Sequence, residues 1–221
     1  VRISRTVTAL VSASALVLLS VPIAVTAEAV SAGAPSATRW YQGRTGTVQW
    51  AIGPDFQAQL DASGASLNFC SAAKIKVDSG SGITIVTMPV HGNSVIALNG
   101  PQSSIDAVTE CAVTVTGNGA TVELTNMGFG VYGDSSSDMT ATIADEYTTL
   151  GEGARMKLPK KATSNKLKVV SPVIMMSAPF ADILRAAVPT LTTDATALGL
   201  FQLTVKVKPT KGPMSSGNSE G

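Results

Sequence analysis

Two periods of apolar and polar positions alternate along this chain. Thr47-Val48-Gln49-Trp50-Ala51-Ile52 reads as a strand. Gly53-Pro54-Asp55 then puts a proline and an acid at a first helical turn, Phe56 and Leu60 fall one turn apart, and Gly64 closes a predicted short helix. Over residues 65–149 the dominant period is two. Leu67/Phe69, Lys74-Ile75-Lys76-Val77 and Ile83-Thr84-Ile85-Val86 alternate or nearly so. Cys111/Val113/Val115 alternates with Thr114/Thr116, and Val122/Leu124 with Thr121/Glu123/Thr125. Between these two runs, Gly117-Asn118-Gly119 is a hairpin signal. Phe129-Gly130-Val131-Tyr132 and residues 139–143 predict another hairpin around a polar loop. Residues 154–158 and 166–170 predict strands around a basic turn. Over 179–187, Phe180, Ile183, Leu184 and Ala187 share one helical stripe that Pro189 closes, and 201–207 predicts a last strand. The class expected is mainly β: an antiparallel β-sandwich or open barrel with two short helices.

The first 32 residues break this pattern. Arg2 and Arg5 precede an apolar run, densest at Ala15-Leu16-Val17-Leu18-Leu19, and small residues such as Val25-Thr26-Ala27 follow. A basic start, an apolar core and a small-residue end predict a signal peptide over 1–32, with an uncleaved anchor disfavoured by the Ser, Thr and Pro22 in the run. The remainder divides into a flexible lead-in over 33–46, one β-rich domain over 47–207 and a disordered polar tail over 208–221. No membrane span is expected after cleavage, and the location expected is extracellular or cell-envelope associated.

Composition narrows the function. The chain is 44% hydrophobic and only 14% charged, too apolar for a disordered protein. A formal charge of +1 and 5% aromatic residues argue against nucleic acid as a partner. Cys70 and Cys111 are the only cysteines, too few for a structural zinc cluster. An even count in an exported chain predicts a disulfide, the alternative being two buried thiols in neighbouring strands.

Charge is unevenly spread. Residues 77–154 hold nine acids and no Lys or Arg, whereas 155–168 hold Arg155, Lys157, Lys160, Lys161, Lys166 and Lys168 and no acid. These six are candidates to contact an anionic cell-envelope polymer or lipid surface; a solvated hairpin balancing an acidic sheet is the simpler reading. His91, the single imidazole, has no sequence neighbour that would make it a metal ligand or general base. Asp134-Ser135-Ser136-Ser137-Asp138 lacks the third acid, glycine and distal Glu of a calcium loop and reads as a solvated turn. Trp40-Tyr41 reads as a dock for the lead-in, and Met175-Met176 as core filling.

The order of first helix, Met88-Pro89-Val90-His91-Gly92-Asn93, the hairpin over 111–133, then Met139-Thr140-Ala141-Thr142-Ile143-Ala144-Asp145 resembles the haem-transport-associated (HtaA-like) domain group. These are secreted or cell-surface proteins of high-GC Gram-positive bacteria. Met176-Ser177-Ala178, Ala181-Asp182-Ile183-Leu184, Leu198-Gly199 and Val205-Lys206-Val207 resemble the group's closing helix and strand, so the likeness spans roughly residues 48–207. In haem-binding members a Trp precedes the first helix, which carries a Phe and then a ligand Tyr three residues later. Here Trp50 and Phe56 stand in such places, but the ligand place falls on Gln59. The group's His follows a Gly at a hairpin tip, a place that falls on Asn118 after Gly117. Amides do not replace a phenolate or imidazole at ferric haem. The resemblance thus implies the fold and export without inherited haem ligation, and no cofactor is expected.

The function expected is that of a non-enzymatic secreted or envelope-associated β-domain with a binding or structural role, its partner an anionic envelope polymer or another surface protein. Haem or another hydrophobic ligand held by unusual ligation is one alternative. An extracellular enzyme using carboxylates assembled by the fold is the other.

Overall fold

The computed structural model describes residues 37–91, 94–100, 103–133, 136–154, 156–191 and 196–212. The expected signal peptide lies outside the described residues, as do Gly92, Asn93, Asp134, Ser135, Arg155 and positions 213–221 of the expected tail.

The elements, in chain order, are β1 (Arg39–Ile52), α1 (Pro54–Ala62), β2 (Ser66–Phe69), β3 (Lys74–Val77), β4 (Thr84–Val90), β5 (Val95–Leu98) and β6 (Ser104–Thr109). There follow β7 (Val113–Gly117), β8 (Ala120–Tyr132), β9 (Ser137–Ile143), β10 (Glu146–Gly153), β11 (Lys166–Val170), β12 (Ile174–Met176), α2 (Ala178–Leu184) and β13 (Ala197–Thr210). Every strand pairing is antiparallel. The pairings form a circuit: β1–β13–β12–β10–β9–β8–β6–β5 and back to β1. β4 with β3 branches from the second half of β1, β11 branches from β13, and β2 joins β7 beside the first half of β8.

Period-two burial closes the inside. Val48, Trp50 and Ile52 of β1, Phe201, Leu203 and Val205 of β13, Met127, Phe129 and Val131 of β8, and Met139 and Ala141 of β9 are all buried in one apolar cluster. Each such Phe or Leu contributes about 1.5–3 kcal/mol on transfer from water. Phe129 and Phe201 meet edge to face with centroids 5.2 Å apart, and the indole N–H of buried Trp50 donates to the Leu198 carbonyl at 2.9 Å. α1 contributes Phe56 and Leu60 to the same cluster, and α2 contributes Phe180, Ala181 and Leu184. Asn118 and Gly119 take φ of 49° and 74° at the β7–β8 turn, the left-handed pair that a two-residue hairpin demands. Cys70 and Cys111 form a disulfide that ties the end of β2 to the start of β7, and the Cys70 N–H donates to the Ala112 carbonyl at 3.1 Å.

Four expectations are corrected. The lead-in over 33–46 is strand from Arg39 onward, paired with β13 from Trp40↔Thr210 and with β5. Its alternation is hidden by glycines at Gly43 and Gly46, where the register to β13 shifts; a Cβ on Gly43 would stand 2.7 Å from the Ser94 Cβ. The expected strand over 154–158 is irregular at its described residues, because β11 takes β13 as partner instead of folding back on that segment. The last strand continues past 207 to Thr210, three residues into the expected tail. Helix α2 ends at Leu184, and Ala187 and Val188 are buried beyond it.

Candidate functional site

Three of the six basic candidates come together. β11 alternates exposed and buried, so Lys166 and Lys168 point outward while Leu167 and Val169 enter the core. The left-handed residues Ser164 and Asn165 turn the preceding segment back, with Thr163 and Lys166 exchanging backbone hydrogen bonds. The result is a cleft of about 400 Å³ lined by Pro159, Lys161, Thr163, Ser164, Lys166, Leu167 and Lys168. Lys157 and Lys160 are exposed but do not line it, and Arg155 is outside the described residues. Sequence reading overlooked Lys206, which β13 places directly opposite Lys166. Like charges so placed repel. The ion pairs among the described residues are His91–Glu110 and Arg185–Asp182, so no described lysine forms an ion pair with a described carboxylate. The acids of the sheet therefore do not balance these cations by contact.

The acids gather elsewhere, around a trough of about 300 Å³ on β6, β8 and β9. Register aligns Asp106, Gly130, Asp138 and Glu152 in one row across β6, β8, β9 and β10. Gly130 leaves room for its neighbours: a Cβ there would collide with the Asp138 carboxylate and would stand 2.6 Å from the Tyr132 hydroxyl. Tyr132 donates to Asp106 Oδ1 at 2.8 Å. Burial raises the Asp106 carboxyl above its ordinary value, the Tyr132 bond drawing it the other way. Burial, then the Asp106 and Glu152 charges, pushes Asp138 up to about 6, against a backbone hydrogen bond at Gly130. Tyr132 is held neutral by burial and by the neighbouring acids. Glycine at alternate positions of a strand, Gly128 and Gly130, was the sequence signal for this trough.

Other candidates settle into structural roles. His91 Nε2 lies 3.0 Å from Glu110 Oε1, and its backbone N–H donates to the Val108 carbonyl. Tyr41 is buried in β1, and Met176 is buried while Met175 is partly exposed on β12. Among the described residues no group of three His, Cys, Asp or Glu side chains is disposed to hold a metal ion.

The places that the resemblance assigns to haem ligands do not suit haem. Gln59 Nε2 donates to Thr196 Oγ1 at 2.9 Å, and the Gln59 backbone carbonyl accepts from Thr190 Oγ1. Asn118 Nδ2 donates to the Ala186 carbonyl at 3.4 Å, and a Cβ on neighbouring Gly117 would collide with the Ala187 carbonyl. The chain after α2 thus engages both positions, and neither side chain is an iron ligand of the required kind.

No helix among the described residues is long and apolar enough to cross a membrane. No family model matches the sequence, and no curated protein matches it. The solved structures do supply a likeness: the crystal structure of the C-terminal domain of HtaA from Corynebacterium glutamicum superposes with a TM-score of 0.55 at 12% identity, covering 76% of this chain and 99% of that one. The chain has an HtaA-like fold.

Proposed function

We propose that this protein is a non-enzymatic extracellular or envelope-associated binding domain that holds an anionic polymer in the lysine cleft. The observation that carries the reading is the set Lys161, Lys166 and Lys168 around one cleft, without an ion pair to any described carboxylate, with Lys206 facing Lys166 across the strand pair. Bringing a polyanion to that set relieves the lysine–lysine repulsion and releases counterions, so attraction falls as salt rises. The hydroxyls of Thr163 and Ser164 on the cleft wall add hydrogen-bond donors for phosphate or carboxylate oxygens. A disulfide suits an oxidising compartment, and the HtaA-like fold is in keeping with that location. The sole imidazole of the sequence is tied to Glu110, which fits a binding role better than acid–base chemistry.

Chromatography of the disulfide-intact protein on isolated anionic cell-wall polymer tests this. Retention at low salt that declines with added NaCl, and that is lost in the Lys161→Gln/Lys166→Gln/Lys168→Gln/Lys206→Gln variant, is expected. Unchanged retention by that variant overturns the reading. Micromolar haem should produce no Soret shift; a shift that survives the lysine substitutions would favour the haem alternative.

A further inference from the structure

The trough on β6, β8 and β9 has features that call for a different ligand. Gly128 and Gly130 make space on the outward face of β8 that the Thr140 hydroxyl, the Asp138 carboxylate and the Tyr132 hydroxyl fill, so polar groups line the trough. At its lining stands Tyr147, 74% exposed. Val108, 41% exposed, adds an apolar wall. The trough adjoins a second hollow of about 380 Å³ lined by His91, Ser94, Val95, Asp106 and Val108, and the two share Asp106 and Val108. The two hollows thus meet at Asp106 and Val108 on the outer face of β6.

We propose that this double hollow binds a neutral, hydroxyl-rich oligosaccharide, with Tyr147 as stacking platform and Asp106 and Asp138 as hydroxyl acceptors. Aromatic faces pack against the C–H faces of sugar rings, and ionised carboxylates make the stronger hydrogen bonds available to a neutral hydroxyl. Tyr132, by donating to Asp106 Oδ1 at 2.8 Å, fixes the orientation of that carboxylate. Asn126 and Thr140, also on the trough lining, supply further polar groups. An anionic chain is excluded from this place by the same aspartates. Among the described residues no three His, Cys, Asp or Glu side chains converge here to hold a metal ion, and part of the wall is aromatic and apolar. This site is separate from the lysine cleft and does not depend on it.

Frontal affinity chromatography of the disulfide-intact protein on immobilised dextran, mannan and galactan tests the assignment. The expected result is retention on at least one matrix that persists at about 0.5 M NaCl, where charge attraction is strongly screened. Tyr147→Ala, at an exposed position, and Asp138→Asn should each weaken that retention about tenfold, as loss of one strong contact does. The Lys161→Gln/Lys166→Gln/Lys168→Gln/Lys206→Gln variant should be retained as before, which separates this site from the polyanion cleft. Absence of retention on all three matrices overturns the proposal, as does retention that vanishes in salt or that both substitutions leave unchanged.

Discussion

Replacing Asp138 by asparagine should stabilise the protein at alkaline pH and leave it unchanged in acid. The half-buried Asp138 carboxyl stands in register between Gly130 and Glu152, with Asp106 one strand further, and is pushed up to about 6 from 3.8. Because its folded value lies above its unfolded one, folding favours the protonated acid. Its contribution is fully present below pH 3.8 and is lost as pH rises through about 6. Unscreened, the ionised group would cost about 3 kcal/mol at pH 8. The trough opens to solvent, and screening reduces that to about 1 kcal/mol. Asparagine keeps the shape and removes the charge. Urea unfolding followed by tryptophan fluorescence at pH 4, 6 and 8 should therefore show the variant gaining on the native protein only as pH rises, to about 1 kcal/mol at pH 8. A difference that stays constant across this range, or a native protein more stable than the variant at pH 8, refutes the electrostatic account of the row.

Removing the cross-link with Cys70→Ala and Cys111→Ala frees a loop with a sequence separation of 41 and should cost about 4 kcal/mol, or about 10 °C in the thermal midpoint; a loss under about 1 kcal/mol by circular dichroism would contradict the chain-entropy argument. Gly199 has φ of 120°, and a Cβ there would collide with the Ala51 carbonyl. Gly199→Ala should therefore lower stability by about 3 kcal/mol or abolish soluble expression, whereas an undiminished thermal midpoint would refute the close packing of β1 on β13. Ser137 Oγ is buried with no hydrogen-bond partner among the described residues, so Ser137→Ala should raise stability by about 1 kcal/mol in urea titrations, and a loss of that size would show a partner for the hydroxyl.

The alternation of Val113, Val115, Val122 and Leu124 with threonines and Glu123, and the left-handed demand of Asn118-Gly119, are local signals, and they announced β7, the turn and the start of β8. The Phe56/Leu60 spacing after Pro54 announced α1 in the same way. β5 escaped because it is buried on both faces and β10 because glycine interrupts it, whereas β6 and β12 alternate in burial but place apolar Val108 and Met175 on their exposed faces, which blurs the period. The basic segment was visible as composition, but its geometry was not. Lys166 faces Lys206 across 40 positions of sequence, because β11 chose β13 and not the segment before it.

By itself the sequence determined what each stretch could become: its period, its turns, its two helices, and the cysteine count that permits a cross-link. Which strand lies beside which was decided only in three dimensions, because pairing energy is shared among many alternating segments of similar pattern and resolved by packing them together. That choice set Lys206 opposite Lys166 and aligned Asp106, Gly130, Asp138 and Glu152 in one row. Both candidate sites arise from cross-strand neighbours, a relation that no linear spacing encodes.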